Sequence, residues 1–240
     1  MKPDKCDSRL GFFEQSTVFT LLFAFVFSKC VLFWIPQDWL RHLLVAGVLF
    51  LLPNLVGQGQ LPEKVRGIRS GKITSADSIC LVYLVVPILL NFIFLPARWQ
   101  LTIGELANWI FSEVGFFSII AAPLAEEYFF RGWLLAKQVA ASGTETSRPF
   151  LHSAKICYSN ALIFWILHMP VDVNLWKDSL LEGQIPMSPG PFLLGFVTCA
   201  MTLRTGNLRS AIIFHALANA TGPLWWPLLA NDLWRSIFYN

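Results

Sequence analysis

The chain has 240 residues, of which 55% are hydrophobic and only 14% are charged, and its mean hydropathy is +0.56. Soluble globular domains carry about a quarter charged residues, so this composition argues against an ordinary soluble domain and indicates a polytopic membrane protein. The net charge of +3 is small and no basic stripe is interleaved with aromatic residues, so no nucleic-acid partner is expected.

Apolar segments recur along the whole chain. A helix needs about 20 apolar residues to cross the hydrocarbon core of a bilayer. In chain order, the predicted spans are Val18–Ile35, Leu40–Val56, Ile79–Leu95, Ala107–Val139, Ile156–Met169, Pro191–Leu203 and Ala211–Leu229. The fourth segment is too long for one straight crossing, and we expect a break near Pro123. The sequence therefore predicts an all-α fold, a polytopic membrane helix bundle of seven or eight transmembrane helices.

The loops between these segments predict the orientation. Residues 1–15 form a predicted cytoplasmic N-terminal tail, and residues 16–240 form a single predicted transmembrane domain. Lysine and arginine are more frequent in the loops on the side of the N-terminus, so the positive-inside rule places that terminus in the cytoplasm. We expect a multi-pass integral protein of the plasma (inner) membrane, surrounded by membrane lipid.

Three ionisable residues, Glu126, Glu127 and Arg131, lie inside the long fourth segment. Charged side chains are costly within a bilayer, and those that occur there usually serve a function. Arg131 follows Glu127 by four residues, a spacing at which helical side chains meet. We therefore expect Glu127 to pair with Arg131 and Glu126 to face a cavity. A buried pair of this kind can equally be structural, joining two helices.

Two later apolar segments also carry polar residues. His168 ends the run Phe164–His168, and Phe164, one turn earlier, is expected to pack on the imidazole ring. His215 and Asn219 are four residues apart and share a helix face, as the paired donors of an oxyanion hole would. Each motif alone is more simply a polar contact between membrane helices. However, when depth in the membrane is measured along each helix from its nearest charged residue, the three motifs lie at similar depths. This similarity favours one shared site.

The motifs EExxxR, FxxxH and HxxxN, in this order on successive helices, resemble the signature of the CPBP family. This family includes the CAAX-processing endopeptidases and the bacterial Abi proteins. The motifs lie at Glu126–Arg131, Phe164–His168 and His215–Asn219, and the resemblance covers about residues 115–225, the predicted catalytic core. It implies an intramembrane glutamate-dependent endopeptidase that cuts near the C-terminal or membrane-embedded end of a protein substrate. CAAX-like processing and the processing of sorting tails both remain open.

The resemblance also implies roles for the individual residues. Glu126 and His168 would position and deprotonate a water molecule that attacks the scissile carbonyl. His215 and Asn219 would stabilise the oxyanion, and the expected ion pair would orient the first motif. The candidate catalytic residues are thus Glu126, Glu127, Arg131, His168, His215 and Asn219. The substrate is a protein or peptide, for which a C-terminal anchor segment is an attractive form.

Several alternatives stay open at this level. No cofactor is expected, but a zinc-dependent version of the protease would use Glu126, His168 and His215 as ligands. A non-catalytic membrane immunity or scaffold protein could keep the same fold. A transporter could use the acidic and histidine side chains as a proton relay, but the inverted repeats typical of transporters are not evident.

Overall fold

The computed structural model describes residues 15–35, 37–55, 75–94, 99–141, 149–169, 189–222 and 224. Regular structure in these residues is entirely helical, which confirms the predicted all-α class. Residues 1–14 of the predicted cytoplasmic tail lie outside the described residues, as does the end of the last predicted span. The described helices are α1 (Gln15–Trp34), α2 (Asp38–Leu55), α3 (Ser75–Phe94), α4 (Trp99–Ile110), α5 (Glu113–Ala141), α6 (Pro149–Leu167), α7 (Gly190–Thr205) and α8 (Arg209–Ala220).

The lengths of these helices bear on the predicted membrane crossings. Among the described helices, none taken singly has the combined length and apolar character of a membrane span. The helical stretches Ile103–Ile110 and Glu113–Ala141 meet that requirement together, by length and composition, across a bend of 74°. The number of transmembrane helices therefore stays a prediction.

The fourth predicted segment bends at an unexpected place. The bend lies between α4 and α5, just before Ser112, whereas α5 continues through Pro123, so the predicted break near Pro123 is wrong. Ser112 has extended backbone angles, φ −73° and ψ 153°, and its side chain accepts a hydrogen bond from the Gly115 N–H. A Cβ atom on Gly115 would lie 1.8 Å from the Trp109 carbonyl oxygen. A serine cap and an obligatory glycine thus start α5.

Helix α5 accommodates Pro123 by widening instead of breaking. The π-helical turns Phe117–Ala121 and Tyr128–Leu134 lie on either side of the α-helical stretch Ala122–Glu127. The backbone N–H that follows each π turn donates to a carbonyl five residues back. Proline removes one donor from the usual ladder, and a wider turn keeps the helix continuous. Such π turns often occur at functional sites, and here they flank both glutamates.

The aromatic face of α5 lies at the centre of the bundle. It packs against small and aliphatic side chains of α1 and α2 and against α6, and at most 8% of any member is exposed. The members of this cluster are Ala24, Ala46, Leu49, Leu52, Ala125, Phe129, Phe130, Trp133, Leu134 and Phe164. Each buried aromatic side chain contributes a large apolar area, so this packing holds α5 in a fixed position.

Helices α6 and α7 approach each other closely at one glycine. A Cβ atom on Gly195 would lie 3.1 Å from the Ala161 Cα atom and 3.3 Å from the Phe164 ring. Small residues allow helix backbones to approach in this way, as is common in membrane bundles. The close contact brings the backbone of α7 next to the charged part of α5.

Candidate active site

Glu127 is completely buried and lies between two basic side chains. Its Oε2 atom is 3.2 Å from Arg131 Nε, and its Oε1 atom accepts a hydrogen bond of 2.8 Å from His215 Nδ1. The first contact is the one that the four-residue spacing predicts. The second joins α5 to α8 and was not predicted. Because both carboxylate oxygens are engaged, Glu127 acts as an anchor for its two neighbours.

Arg131 is also completely buried, and it links three helices. Its Nη2 atom donates a hydrogen bond of 3.0 Å to the Gly195 carbonyl oxygen of α7. Its Cζ atom lies 4.6 Å from the centre of the Phe164 ring of α6, a cation–π contact. Sequence reasoning missed Gly195. A glycine inside an apolar helix was the available signal, because such a glycine usually marks a close contact.

Glu126 faces the later two motifs, as expected. Its Oε2 atom lies 3.8 Å from His168 Nε2 and 3.8 Å from His215 Nε2. Both distances exceed the range of a direct hydrogen bond, about 2.7–3.2 Å. The carboxylate and the two imidazoles come from α5, from the end of α6 and from α8. The structure therefore brings together three residues whose similar depth the sequence suggested.

The surroundings of His168 define which of its nitrogens carries a proton. Its Nδ1 atom is 2.7 Å from the Phe164 carbonyl oxygen, which can only accept. Nδ1 is therefore the protonated nitrogen, and in the neutral ring the lone pair lies on Nε2, which faces Glu126. The Phe164 ring lies 4.4 Å from the imidazole, as expected from their spacing. Phe164 thus orients His168 through both its backbone and its ring.

Asn219 lies one turn after His215 and also faces the site. Its Nδ2 atom donates a hydrogen bond of 2.7 Å to the Ser118 carbonyl oxygen, which lies in the first π turn of α5. The backbone carbonyl of Asn219 accepts a hydrogen bond of 2.9 Å from Trp109 Nε1. A carboxamide nitrogen carries two hydrogens, so the bond to Ser118 fixes the group and uses one of them.

Two cavities meet at Glu126 and His168. The larger has a volume of about 810 Å³, and its lining includes Tyr83, Leu194, Phe214, His215, Ala218 and Asn219. The smaller has a volume of about 280 Å³, and its lining includes Ala24, Lys29, Arg41, Val45, Leu49 and Phe130. Ala122, Glu126 and His168 line both. The two cavities therefore adjoin at the candidate base.

The predicted alternative zinc ligands can be compared with this geometry. Glu126 Oε2 is 3.8 Å from the Nε2 atoms of both His168 and His215. Ligand atoms about 2.0–2.1 Å from a tetrahedral zinc ion lie about 3.3 Å from one another. Within the described ranges, no cluster of three or more His, Cys, Asp or Glu side chains is arranged to hold a metal ion. The 3.8 Å separations exceed that spacing by about 0.5 Å, and the chelation experiment described below tests the zinc-dependent alternative.

A buried polar network that sequence reasoning missed supports α5 from the other side. Asn160 of α6 is fully buried, and its Nδ2 atom donates to the Phe130 carbonyl oxygen at 3.1 Å and to Gln138 Oε1 at 2.9 Å. Gln138 in turn donates to Ser159 Oγ at 3.1 Å. The bond to Phe130 engages a carbonyl of the second π turn, which helps to hold the widened helix in place.

Residues 107–221 match the family model described as "Type II CAAX prenyl endopeptidase Rce1-like". The match begins within α4 and ends just beyond α8, so it contains all six predicted site residues. It confirms the family resemblance that the three motifs indicated, while α1, α2 and α3 lie outside the matched region. No curated protein and no solved structure matches the chain.

Proposed function

Since residues 107–221 match the family model of the Rce1-like type II CAAX prenyl endopeptidases, we propose that the chain is a member of that family and a glutamate-dependent intramembrane endopeptidase. The observation that supports this proposal most directly is the position of Glu126 Oε2, 3.8 Å from the Nε2 atoms of both His168 and His215. The bond to be cut lies near the C-terminal or membrane-embedded end of a protein or peptide substrate.

Glu126 and His168 together suit the activation of water. The Glu126 carboxylate and the Nε2 lone pair of His168 are both acceptors, so one water molecule can donate an O–H group to each. The carboxylate takes the proton as the water oxygen attacks the scissile carbonyl, and it delivers that proton to the leaving amine. This is general base and then general acid catalysis by one side chain. No covalent intermediate with the protein is needed.

His215 is held in place by Glu127. Its Nδ1 atom donates a hydrogen bond of 2.8 Å to Glu127 Oε1, and its Nε2 atom lies 3.8 Å from Glu126 Oε2. His215 also lines the larger cavity, as Asn219 does. We assign both residues to the binding of the transition-state oxyanion.

We expect the Asn219→Ala variant to reduce kcat by about 10²–10³-fold, with little change in KM, because the variant lacks a donor to the transition-state oxyanion. Steady-state cleavage of a fluorogenic peptide measures both constants. Asn108→Ala, at an exposed position of α4 that lines neither cavity, is the matched control. A variant whose kcat equals that of the control would contradict the role in the oxyanion hole. Because Asn219 also binds Ser118, thermal unfolding of each variant must be compared.

The apolar outer surface supports an integral membrane location. Phe19 of α1 is 70% exposed, and Leu81 and Phe92 of α3 are 62% and 61% exposed. Further exposed aliphatic residues follow at helical spacing on both helices. Soluble proteins rarely expose apolar faces of this extent, whereas acyl chains cover them at no cost. We therefore propose a multi-pass membrane protein, and we place it in the plasma (inner) membrane with a cytoplasmic N-terminus because of the distribution of lysine and arginine in its sequence.

The proposed activity is tested with the purified protein in lipid nanodiscs. The probes are a prenylated peptide that ends in a CAAX sequence and a peptide with an apolar C-terminal anchor, and mass spectrometry identifies the products. We expect a single cleavage near the C-terminus of at least one probe. Intact probes in both cases, with folded protein, would contradict the proposal.

Chelation tests the metal-free form of the mechanism. We expect EDTA and 1,10-phenanthroline to leave the cleavage rate unchanged within about twofold, because the Glu126 and His168 side chains activate water by themselves. The measurement is the rate after prolonged dialysis against each chelator, with a zinc protease as a positive control for inhibition. Loss of activity that added zinc restores would establish the zinc-dependent alternative.

A further inference from the structure

The smaller cavity contains two positive charges that the proposed chemistry does not use. Lys29 of α1 and Arg41 of α2 line it together with Glu126 and His168. The rest of the cavity wall is mostly apolar and includes Ala24, Val45 and Leu49. Both basic residues lie outside the matched region 107–221. Neither is needed to activate water or to stabilise an oxyanion.

The two basic side chains lie at the same end of a helical hairpin. Helix α1 ends at Trp34 and α2 begins at Asp38, so the two packed helices run in opposite directions. Lys29 lies near the end of α1 and Arg41 near the start of α2, which places both close to the connection. Basic residues at a helix end often extend to the membrane interface. These two line the wall of a cavity and are only partly exposed.

The distance from this end to the candidate base can be judged along α2. Phe50 of α2 packs on Tyr128 with ring centres 4.8 Å apart, and Tyr128 lies two residues beyond Glu126. Arg41 precedes Phe50 by nine residues, which is about 13 Å along a helix. An extended peptide covers about 3.3–3.6 Å per residue. The basic end and Glu126 are thus separated by a few residues of extended chain.

We propose that Lys29 and Arg41 bind the C-terminal carboxylate of the substrate, so that the smaller cavity holds the fragment released by cleavage. This inference rests on the proposed function, because it assigns one end of the same peptide. A carboxylate accepts charge-assisted hydrogen bonds from both side chains, and the apolar wall accepts apolar side chains in between. His215 and Asn219 line only the larger cavity, which then holds the part of the substrate that precedes the cut.

Two basic side chains can bind any anion, so a lipid phosphate group could occupy this site in place of the substrate carboxylate. The test therefore uses an N-acetylated apolar tripeptide as the free acid and as the amide. Binding of both is measured with wild-type protein and with the double variant Lys29→Met/Arg41→Met in nanodiscs. Nanodiscs of phosphatidylcholine are compared with nanodiscs that contain phosphatidylglycerol. Lys155→Met, an exposed position of α6, is the matched control.

We expect wild type and the control to bind the acid at least about tenfold more tightly than the amide, as a charge-assisted pair implies. In the double variant this ratio should fall to about one. Cleavage of a longer free-acid or amidated peptide should show the same preference, mainly in KM. Methionine is more apolar than either original side chain, so the substitutions suit a membrane helix.

Each outcome separates the two proposals. Equal binding of acid and amide by wild type overturns the carboxylate site, even if both longer peptides are cleaved and the proposed function stands. In another outcome, the double variant keeps the wild-type preference for the acid and differs from the wild type only in nanodiscs that contain phosphatidylglycerol. That result would show a site for a lipid phosphate and would also overturn the carboxylate site. A retained preference for the acid without cleavage of either peptide supports the anion site and contradicts the endopeptidase function.

Discussion

Replacement of Glu126 by glutamine is expected to reduce peptide cleavage by about 10²–10⁴-fold, the usual contribution of a general base. Glutamine has nearly the same shape but cannot take a proton from water at neutral pH. The Glu126 Oε2 atom lies 3.8 Å from both imidazole Nε2 atoms, so no direct hydrogen bond of the fold depends on its charge. The loss should therefore appear in kcat, with the thermal unfolding temperature nearly unchanged.

The matched control for this variant is Glu113→Gln. Glu113 lies on the same helix, α5, but is exposed to the surroundings and lines neither cavity. We expect this variant to cleave as the wild type does. Cleavage by Glu126→Gln at the rate of the Glu113→Gln control would refute the assignment of the base. Cleavage by both variants at a reduced rate, together with lower unfolding temperatures, would indicate a structural effect of the glutamines.

The contacts that could be predicted from the sequence are those within one helix. Glu127 and Arg131 meet because side chains four residues apart lie on one helix face, and the same spacing brings Phe164 onto His168. The contacts that could not be predicted depend on how separate helices pack. The Nδ1 atom of His215 contacts Glu127, which is 88 residues away in the sequence. No local sequence pattern predicts a contact between residues so far apart in the chain. The similar depths of the three motifs and their resemblance to a family indicated a shared site, but not the contacts within it.

The predicted break near Pro123 was wrong because two local sequence signals, a proline and a capping serine, pointed to different positions. A break was predicted near Pro123 because proline usually ends or kinks a helix. Here the π turn before it keeps the backbone continuous, and aromatic side chains further along α5 are buried in the core cluster that it shares with α2. The true bend has its own signal, a serine followed three residues later by a glycine, Ser112 and Gly115, in which the serine caps the new helix. In this segment the capping serine locates the bend, and the proline does not.

Helix α5 also explains why the two adjacent glutamates have different roles. Neighbouring residues on a helix point about 100° apart, so Glu126 faces the cavities while Glu127 faces Arg131 and His215. A π turn lies on either side of this short stretch. Arg131 and Glu127 do not reach the cavities, so we assign them as positioning residues. They hold His215 and the backbone of α7 in place.

The second large effect is expected from the buried charges that hold this arrangement. Arg131→Met should lower the free energy of unfolding by about 3–5 kcal/mol, because it leaves the fully buried Glu127 without its main counter-charge. Glu127→Gln should have an effect of similar size, since it leaves Arg131 buried and unbalanced. The double variant removes both charges and should recover much of this stability. Chemical unfolding in detergent micelles, followed by circular dichroism, gives the coupling energy of the pair.

Activity separates the structural role of this pair from its positioning role. The double variant should stay folded yet cleave slowly, because His215 Nδ1 loses the carboxylate that it contacts at 2.8 Å in the wild type. A glutamine oxygen accepts a weaker hydrogen bond than a carboxylate does, so the His215 ring is held less firmly in its position beside the oxyanion. Lys155→Met, which removes an exposed charge, should change neither property. Additive losses of stability in the double variant would show that Glu127 and Arg131 do not act as a pair, and full activity would show that His215 needs no anchor.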